Sequence, residues 1–292
     1  MKQNESNESK FRRSLLRVTI VGIFTLPLVF MGASAGAQGA SKANNSAQTI
    51  VLVHGAWADG SSWNGVTSRL QADGYTVWVV PNPLRGLSSD AAYVASILNT
   101  IPGPIILVAH SYGGAVITNA ATGNPNVKAL VYIDGFAPDE GETGLQLAAM
   151  PPPPGASLSC VLGDPSTLFN MVPYPGAPTG DVDLYIKPEL FPSCFANTLA
   201  AKEAAVLAAS QRPIVFSALA EPSGTPAWKT IPSWYLVGTL DNVIPPYLQI
   251  FMAERANAQI VQVKAPHPSM ISNPKAVSDL IETAARAVLE TP

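Results

Sequence analysis

The chain has 292 residues, of which 47% are hydrophobic and only 13% charged, and it contains 27 Pro, three His and two Cys. A chain this apolar can bury enough surface to offset the entropy lost on folding, so the composition excludes an intrinsically disordered protein. After residue 37, 12 Lys and Arg stand against 18 Asp and Glu, and this net charge of −6 argues against nucleic-acid binding. So few His and Cys residues leave little material for a metal site, and we expect no metal and no other cofactor.

Residues 1–37 have the pattern of a signal peptide. A basic cluster at residues 10–17 precedes the apolar run Val18–Phe30, and the small residues Ala35–Ala37 match a signal-peptidase site. Thirteen strongly apolar residues are too few to span a bilayer as a helix. The weakly apolar residues that follow extend the run to twenty, so a retained anchor is the alternative.

The export route is left open by the sequence. Arg12 and Arg13 resemble a twin-arginine signal, but Phe11 stands where that motif has Ser or Thr, so both the Sec and the Tat routes remain. We expect cleavage after Ala37, a periplasmic or extracellular location, and no stable membrane association afterwards.

The rest of the chain predicts a polar linker at residues 38–48 and one α/β domain at 49–292. Six short apolar runs are continuous rather than alternating, which is typical of strands covered on both faces. In chain order they are Ile50–Val53, Val77–Val80, Ile105–Val108, Ala129–Ile133, Trp234–Val237 and Ile260–Val263. Helical patterns lie between them at residues 62–72, 88–100, 113–122, 245–256 and 274–289. This alternation predicts a mostly parallel sheet with helices on both faces.

A proline-rich insertion at about residues 138–212 interrupts the alternation. Residues 138–192 contain 11 of the 27 prolines, too many for a central strand or a long helix, and a helical pattern returns only at Thr198–Ser210. Aromatic and apolar residues persist throughout, which favours a lid over a disordered linker. We therefore predict a cap inserted after the fourth strand, over one end of the sheet.

Ser111 is the candidate nucleophile. The apolar strand ending at Val108 is followed by Ser111, by Gly113 and Gly114, and then by a helical pattern. A sharp strand-to-helix turn of this kind lifts a serine hydroxyl above the sheet, and Ala109 replaces the first Gly of the usual G-x-S-x-G motif. A serine that merely caps the helix is the alternative.

A serine nucleophile needs a general base, and the chain offers three histidines for this role. His110 is adjacent to Ser111 and should point away from its hydroxyl, and His54 ends the first strand, where we expect it to support the turn. His267 follows the last strand, on a loop at the same carboxyl edge of the sheet as Ser111. His267 is thus the predicted base, with a surface loop histidine as the alternative.

A carboxylate must orient the base and stabilise its protonated form. Asp241 follows the fifth predicted strand and precedes His267 by 26 residues, which gives the order Ser, Asp, His along the chain. Asp134, just after the fourth strand, is the second candidate. For the oxyanion we expect two backbone amides: that of Tyr112, after the nucleophile, and that of Ala56, in the turn after the first strand.

Cys160 and Cys194 both lie in the predicted cap. In an exported protein two cysteines in one segment favour a disulfide, and two buried free thiols are the alternative.

These motifs together resemble the α/β-hydrolase superfamily, and more narrowly the branch of bacterial esterases, plant methylesterases and hydroxynitrile lyases. The resemblance rests on Val51–Trp57, Val108–Gly114, Gly238–Asp241 and His267, and so extends over nearly all of the chain after the leader. It implies an α/β-hydrolase fold of about six strands with a cap after the fourth, and it assigns the triad and oxyanion roles to the same residues as above.

The resemblance also separates reaction types within the fold. Hydroxynitrile lyases of this branch have a Lys directly after the triad His, where this chain has Pro268, and a Ser nucleophile excludes the mechanism of hydrolases that attack with Asp. We expect an exported serine hydrolase that acts on small to medium, hydrophobic ester substrates. The alternatives are a non-catalytic ligand-binding protein on the same scaffold, and a lyase or perhydrolase with the same triad.

Overall fold

A six-stranded parallel sheet forms the centre of the protein in a computed structural model that describes Asn45 and residues 47–290. Its strands are β1 (Thr49–Val53), β2 (Thr76–Val80), β3 (Ile105–His110), β4 (Val127–Ile133), β8 (Ser233–Gly238) and β9 (Gln259–Val263). They lie in the order β2-β1-β3-β4-β8-β9, and all neighbours are parallel. All six predicted strands are present, each extended by one or two residues. The predicted signal peptide, residues 1–37, lies outside the described residues.

Helices cover both faces of this sheet, as the sequence predicts. The larger ones are α1 (Asn64–Ala72), α2 (Leu87–Leu98), α3 (Tyr112–Ala120), α9 (Pro246–Arg255) and α11 (Pro274–Glu290). Successive strand residues point to opposite faces, so Ile50 and Leu52 pack with α1 and α11, whereas Val51 and Val53 pack with α2, α3 and α9. This is the physical reason for the continuous apolar runs of the central strands β1, β3, β4 and β8, in which almost no residue meets water. None of the helices among the described residues is long and apolar enough to cross a membrane.

The segment between β4 and β8 contains a second, smaller sheet that the sequence analysis does not predict. The antiparallel strands β5 (Phe169–Val172), β6 (Asp183–Ile186) and β7 (Ile214–Val215) form it, in that order. Around it lie the short helices α4 (Gly144–Ala148), α5 (Pro165–Leu168), α6 (Phe191–Cys194), α7 (Ala201–Ser210) and α8 (Phe216–Ala220); α10 (Ser269–Ser272) follows β9. Prolines are accommodated in the first turns of α5 and α6, where an amide hydrogen is not needed.

This segment continues past the boundary predicted at residue 212. β7 pairs with β6, and α8 follows β7 directly, so the chain does not leave the segment before residue 220. Two hydrogen bonds and an ion pair fasten the small sheet to the loops of the main sheet. The Trp57 indole donates to the Leu184 carbonyl oxygen at 2.9 Å, and the Val215 amide donates to the Leu84 carbonyl oxygen at 3.2 Å. Arg85 forms an ion pair with Asp183 at 2.5 Å.

Candidate active site

Ser111 occupies a strained turn between β3 and α3. Its φ of 55° and ψ of −128° are rare for a residue with a side chain, and this conformation turns the chain sharply from strand into helix. The close approach of α3 to β1 requires Gly113, because a Cβ there would lie 2.8 Å from the His54 carbonyl oxygen. The predicted nucleophile therefore stands at the strained strand-to-helix turn that the sequence indicates.

The turn after β1 packs against Ser111 and also depends on a glycine. A Cβ at Gly55 would lie 2.6 Å from the Ser111 Cβ and 2.7 Å from the His110 carbonyl oxygen, so a larger residue cannot occupy this position without moving the backbone. This contact brings Ala56 beside Ser111, and both residues line one cavity.

Three predicted site residues form a hydrogen-bonded chain. The Nε2 atom of His267 lies 2.9 Å from the Oγ atom of Ser111, and the Nδ1 atom lies 2.7 Å from Oδ2 of Asp241. All three residues are buried. An ionised carboxylate can only accept, so Nδ1 carries the hydrogen in this pair and Nε2 is left free to accept the Ser111 hydroxyl proton.

Burial disfavours the charged form of both side chains in this pair. It lowers the pKa of His267 to about 3, so the imidazole is neutral at neutral pH and able to act as a base. Burial also raises the pKa of the Asp241 carboxyl. The hydrogen bonds that oppose this rise come from the amides of Ile244 and Val243, at 2.9 and 2.7 Å, and from Gln249.

Gln249 is a further residue of the candidate site, and the sequence alone does not single it out. Its side-chain amide donates to Oδ2 of Asp241 at 2.8 Å and to the Ile244 carbonyl oxygen at 2.7 Å, from a fully buried position on α9. The sequence contains an indication of this role, because Gln249 is a polar residue within the buried stripe of α9 that includes Leu248 and Met252. A buried amide at such a position needs a polar partner.

Asp134, the second candidate for the acid, has other partners. Its Oδ1 accepts the Gly238 amide at 2.7 Å and its Oδ2 accepts the Ser269 amide at 3.2 Å. These bonds join the end of β4 to the end of β8 and to the start of α10. Burial raises the pKa of Asp134, and the neighbouring Asp241 charge raises it further.

The side chains of the other two histidines form hydrogen bonds to backbone groups rather than to the Ser111 hydroxyl. His54 accepts the Asn82 amide at Nε2, at 3.0 Å, so its Nδ1 hydrogen donates to the Gly55 carbonyl oxygen at 2.9 Å. His110 donates from Nε2 to the backbone carbonyl oxygen of His267 at 3.0 Å. His54 thus supports the turn as predicted, and His110 anchors the loop of His267.

Both predicted oxyanion amides border the same cavity as Ser111. Tyr112 is the first residue of α3, so its amide has no acceptor within the helix and is available to an external oxygen. Its phenol donates to the buried Asp90 carboxylate at 2.9 Å. Trp57, next to Ala56, has a φ of 56° and donates its amide to the Arg212 carbonyl oxygen at 2.9 Å.

The cavity beside Ser111 has a volume of about 150 Å³ and an apolar wall. None of its lining side chains is charged, and most of them belong to the segment between β4 and β8. The aromatic residues of the wall are Trp57, Tyr112, Phe136, Phe169 and Phe216. Such a wall favours neutral, hydrophobic ligands. Within the described residues, no group of three or more His, Cys, Asp or Glu side chains is arranged to hold a metal ion.

The structure contains the predicted disulfide between Cys160 and Cys194, with the two Cα atoms 5.6 Å apart. It joins the chain before α5 to the last residue of α6 and so closes a loop that includes β5 and β6. This bond lies close to the candidate site, because the neighbouring residue Phe195 packs edge-on against the His267 ring, with centroids 4.9 Å apart.

The family of the chain follows from comparison with known proteins. The alpha/beta hydrolase family model matches residues 50–280, so the chain belongs to the α/β-hydrolase family. A curated relative, the carbendazim hydrolyzing esterase of Nocardioides sp. strain SG-4G, is 32% identical over 127 residues, which cover 39% of this chain and 52% of that protein. The chain thus aligns with about half the length of this relative.

Solved structures share the fold over most of the chain. A pyrethroid hydrolase from Sphingobium faniae JZ-2 matches with a TM-score of 0.61 and 25% identity, covering 83% of this chain and 99% of that one. The methylesterase MES16 from Arabidopsis matches with a TM-score of 0.63 and 19% identity, covering 82% and 98%. The predicted α/β-hydrolase fold, and the resemblance to bacterial esterases and plant methylesterases, are confirmed.

Proposed function

We propose that the protein is an exported serine esterase that cleaves small to medium, hydrophobic carboxylic esters through an acyl-enzyme. The observation that carries the proposal is the hydrogen-bonded chain from Ser111 through His267 to Asp241, beside an apolar cavity. The names of the relatives support it, since they include an esterase, a methylesterase and a pyrethroid hydrolase.

In the first half of the reaction the ester is cleaved and the enzyme is acylated. The Oγ atom of Ser111 attacks the ester carbonyl carbon while its proton passes to Nε2 of His267, and Asp241 stabilises the imidazolium. The negative charge that develops on the carbonyl oxygen is bound by the amides of Ala56 and Tyr112, a contribution of roughly 3 kcal/mol each in the transition state. His267 then gives its proton to the departing alkoxide, and the alcohol leaves.

The second half repeats these steps with water as the nucleophile. His267 takes a proton from water, the hydroxide adds to the acyl carbon, and the same two amides bind the oxyanion. The Ser111 oxygen leaves with the proton from His267, and the carboxylic acid is released. His267 therefore acts as the base in both halves of the reaction, and it must return to its neutral form between them. Burial favours that form by lowering the pKa of His267.

The test of this proposal is the Ser111→Ala variant in p-nitrophenyl ester hydrolysis, combined with labelling of the wild-type enzyme by a fluorophosphonate. We expect kcat to fall by about 10⁴-fold or more, and we expect the label on Ser111. Retention of the wild-type rate would contradict the nucleophile. Absence of labelling would instead favour a non-catalytic binding protein. Cyanide release from a cyanohydrin without acid product would favour a lyase.

Export is part of the proposal and has a separate test. The basic cluster, the apolar run and the small residues before Gln38 support a cleaved leader. Intact-mass measurement of protein made with its leader in a bacterial host should give a chain that begins at Gln38. A full-length mass in the membrane fraction would indicate a retained anchor instead.

A further inference from the structure

The loop that carries Asp241 is held from one side by the chain around Cys160. The Cys160 amide donates to the Asn242 carbonyl oxygen at 2.8 Å, and the Ser159 hydroxyl donates to the Val243 carbonyl oxygen at 2.6 Å. Ser159 is buried, so water competes little for this bond. The two residues that follow Asp241 are therefore fixed by residues from outside the main sheet.

The chain around Cys194 holds the same loop from the other side. The Asn242 side-chain amide donates to the Ser193 carbonyl oxygen at 3.0 Å, and the Asn197 side-chain amide donates to the Leu240 carbonyl oxygen at 2.9 Å. Phe195, which follows Cys194, packs edge-on against the His267 ring. This second chain therefore contacts the loop of the proposed acid and the ring of the proposed base.

The disulfide joins these two chains at the point where both meet the loop. We propose that the Cys160–Cys194 disulfide positions Asp241 and His267 for catalysis, by fixing the two chain segments that hydrogen-bond to residues 240–243. The inference rests on the proposed function, because it concerns the geometry of the proposed triad. A disulfide that served only the stability of the fold would need no connection to this loop.

The direct test is the double variant Cys160→Ala/Cys194→Ala, assayed well below its unfolding temperature. Because a displacement of about 1 Å at a catalytic group costs up to roughly 100-fold in rate, we expect kcat to fall by about 10-fold or more. The matched control is Leu70→Ala, which removes buried side-chain volume from α1, away from the loop and the cavity. This control should lower the unfolding temperature while kcat stays within about twofold of wild type.

Two further measurements separate positioning from stability. Asn197→Ala and Asn242→Ala remove the side-chain hydrogen bonds but keep the disulfide, and each should lower kcat with a smaller change in KM. In the wild-type protein, dithiothreitol reduces the disulfide to two thiols and is itself oxidised to its cyclic form. The rate of fluorophosphonate labelling of Ser111 should fall on reduction and recover on reoxidation. This measurement applies even where the double variant fails to fold on expression, and circular dichroism of the reduced protein checks that it keeps its fold during labelling.

The inference fails if the reduced or doubly substituted protein keeps kcat and the labelling rate within about twofold of wild type while its unfolding temperature drops as in Leu70→Ala. In that case the disulfide only stabilises the fold. This outcome is distinct from failure of the proposed function, which is decided by Ser111→Ala with the disulfide intact.

Discussion

At the scale of single residues, burial determines what the proposed catalytic groups can do. His267 is fully buried, and this lowers its pKa to about 3, against 6.5 for a free imidazole. With a lowered pKa, the His267 imidazole is neutral at every pH above that pKa. The neutral form becomes protonated only as the pH falls through the pKa. The neutral form is the one that can accept a proton from Ser111, so under the proposed mechanism we expect the pKa of this one ring to govern the acid limit of activity.

We expect the acid limb of kcat/KM to have an apparent pKa below 6.5, because burial disfavours the protonated His267. The same shift makes protonation favour the unfolded chain, so the contribution of His267 to stability is complete above pH 6.5 and declines as the pH falls toward 3. Initial rates from pH 4 to 8 measure the first effect. Preincubation at each pH followed by assay at pH 8 detects unfolding separately. An acid limb at or above 6.5 in folded enzyme would contradict the prediction.

The two buried carboxylates near His267 can be distinguished by isosteric substitution. Asp241→Asn replaces the acceptor of the Nδ1 hydrogen by a group that favours the wrong tautomer, so we expect kcat to fall by about 10⁴-fold. Asp134→Asn retains an oxygen for the Gly238 or the Ser269 amide, and we expect less than a 10-fold loss. Circular dichroism checks that both variants fold. Equal losses of kcat would mean that Asp134 takes part in the proposed triad.

At the scale of secondary-structure elements, the sequence predicts the main sheet well because the central strands β1, β3, β4 and β8 are apolar runs buried on both faces. The edge strands β2 and β9 are partly exposed, but their apolar runs are still recognisable. It also predicts the turn at Ser111, since residues without a side chain at positions 113 and 114 allow the close backbone contacts with His54 and Phe136 that this turn requires. The small sheet is not predictable in the same way. The strands β5, β6 and β7 have four, four and two residues, and their pairing joins residues far apart in the chain. Such strands are stable only in contact with each other.

Trp57 connects the small sheet to the proposed oxyanion turn. Its indole donates to the Leu184 carbonyl oxygen of β6, its ring stacks on Phe169 of β5 with centroids 5.8 Å apart, and it directly follows Ala56. The side chain of Trp57 is therefore bonded to the small sheet, while its backbone belongs to the turn of the candidate site. We therefore expect a shift of either part to move the amide of Ala56.

We expect Trp57→Phe to lower kcat by about 10-fold, because the ring stacking is kept but the hydrogen bond that fixes the turn is lost. The matched control is Trp228→Phe, which removes an indole donor to the Pro138 carbonyl oxygen at 2.9 Å. Trp228 does not line the cavity, so this variant should lower the unfolding temperature with kcat near wild type. Steady-state kinetics and thermal unfolding of both variants make the comparison, and equal effects on kcat would refute the role of Trp57.

At the scale of the whole molecule, the cavity is assembled from parts of the chain that no local pattern connects. Its wall includes Ala56 after β1, Tyr112 after β3, Phe136 after β4 and Val243 after β8, together with residues of the segment between β4 and β8. The sequence predicts that these loops meet at one edge of the sheet, because it predicts a mostly parallel sheet, and in the structure all six strands are parallel. It does not predict which side chains face inward, since that depends on how the small sheet docks.

The absence of charge from this wall predicts discrimination against anionic esters. Moving a carboxylate from water into an apolar cavity costs several kcal/mol, whereas a methyl group gains by burial. We expect p-nitrophenyl hexanoate to be cleaved with a kcat/KM at least about 100-fold higher than the p-nitrophenyl monoester of adipic acid, which has the same acyl length but ends in a carboxylate. Steady-state rates at pH 8, corrected for hydrolysis without enzyme, measure the ratio.

A variant of the wall tests whether charge is the cause. Leu145 lines the cavity from α4 and is partly exposed, so Leu145→Arg should be tolerated and should offer the substrate carboxylate a cation. We expect this variant to lower the preference for hexanoate by about 10-fold, and we expect Leu145→Gln, polar but uncharged, to lower it much less. Equal ratios in the two variants would trace the discrimination to side-chain size. A wild-type ratio near one would mean that the acyl chain does not enter the cavity between the main sheet and the small sheet.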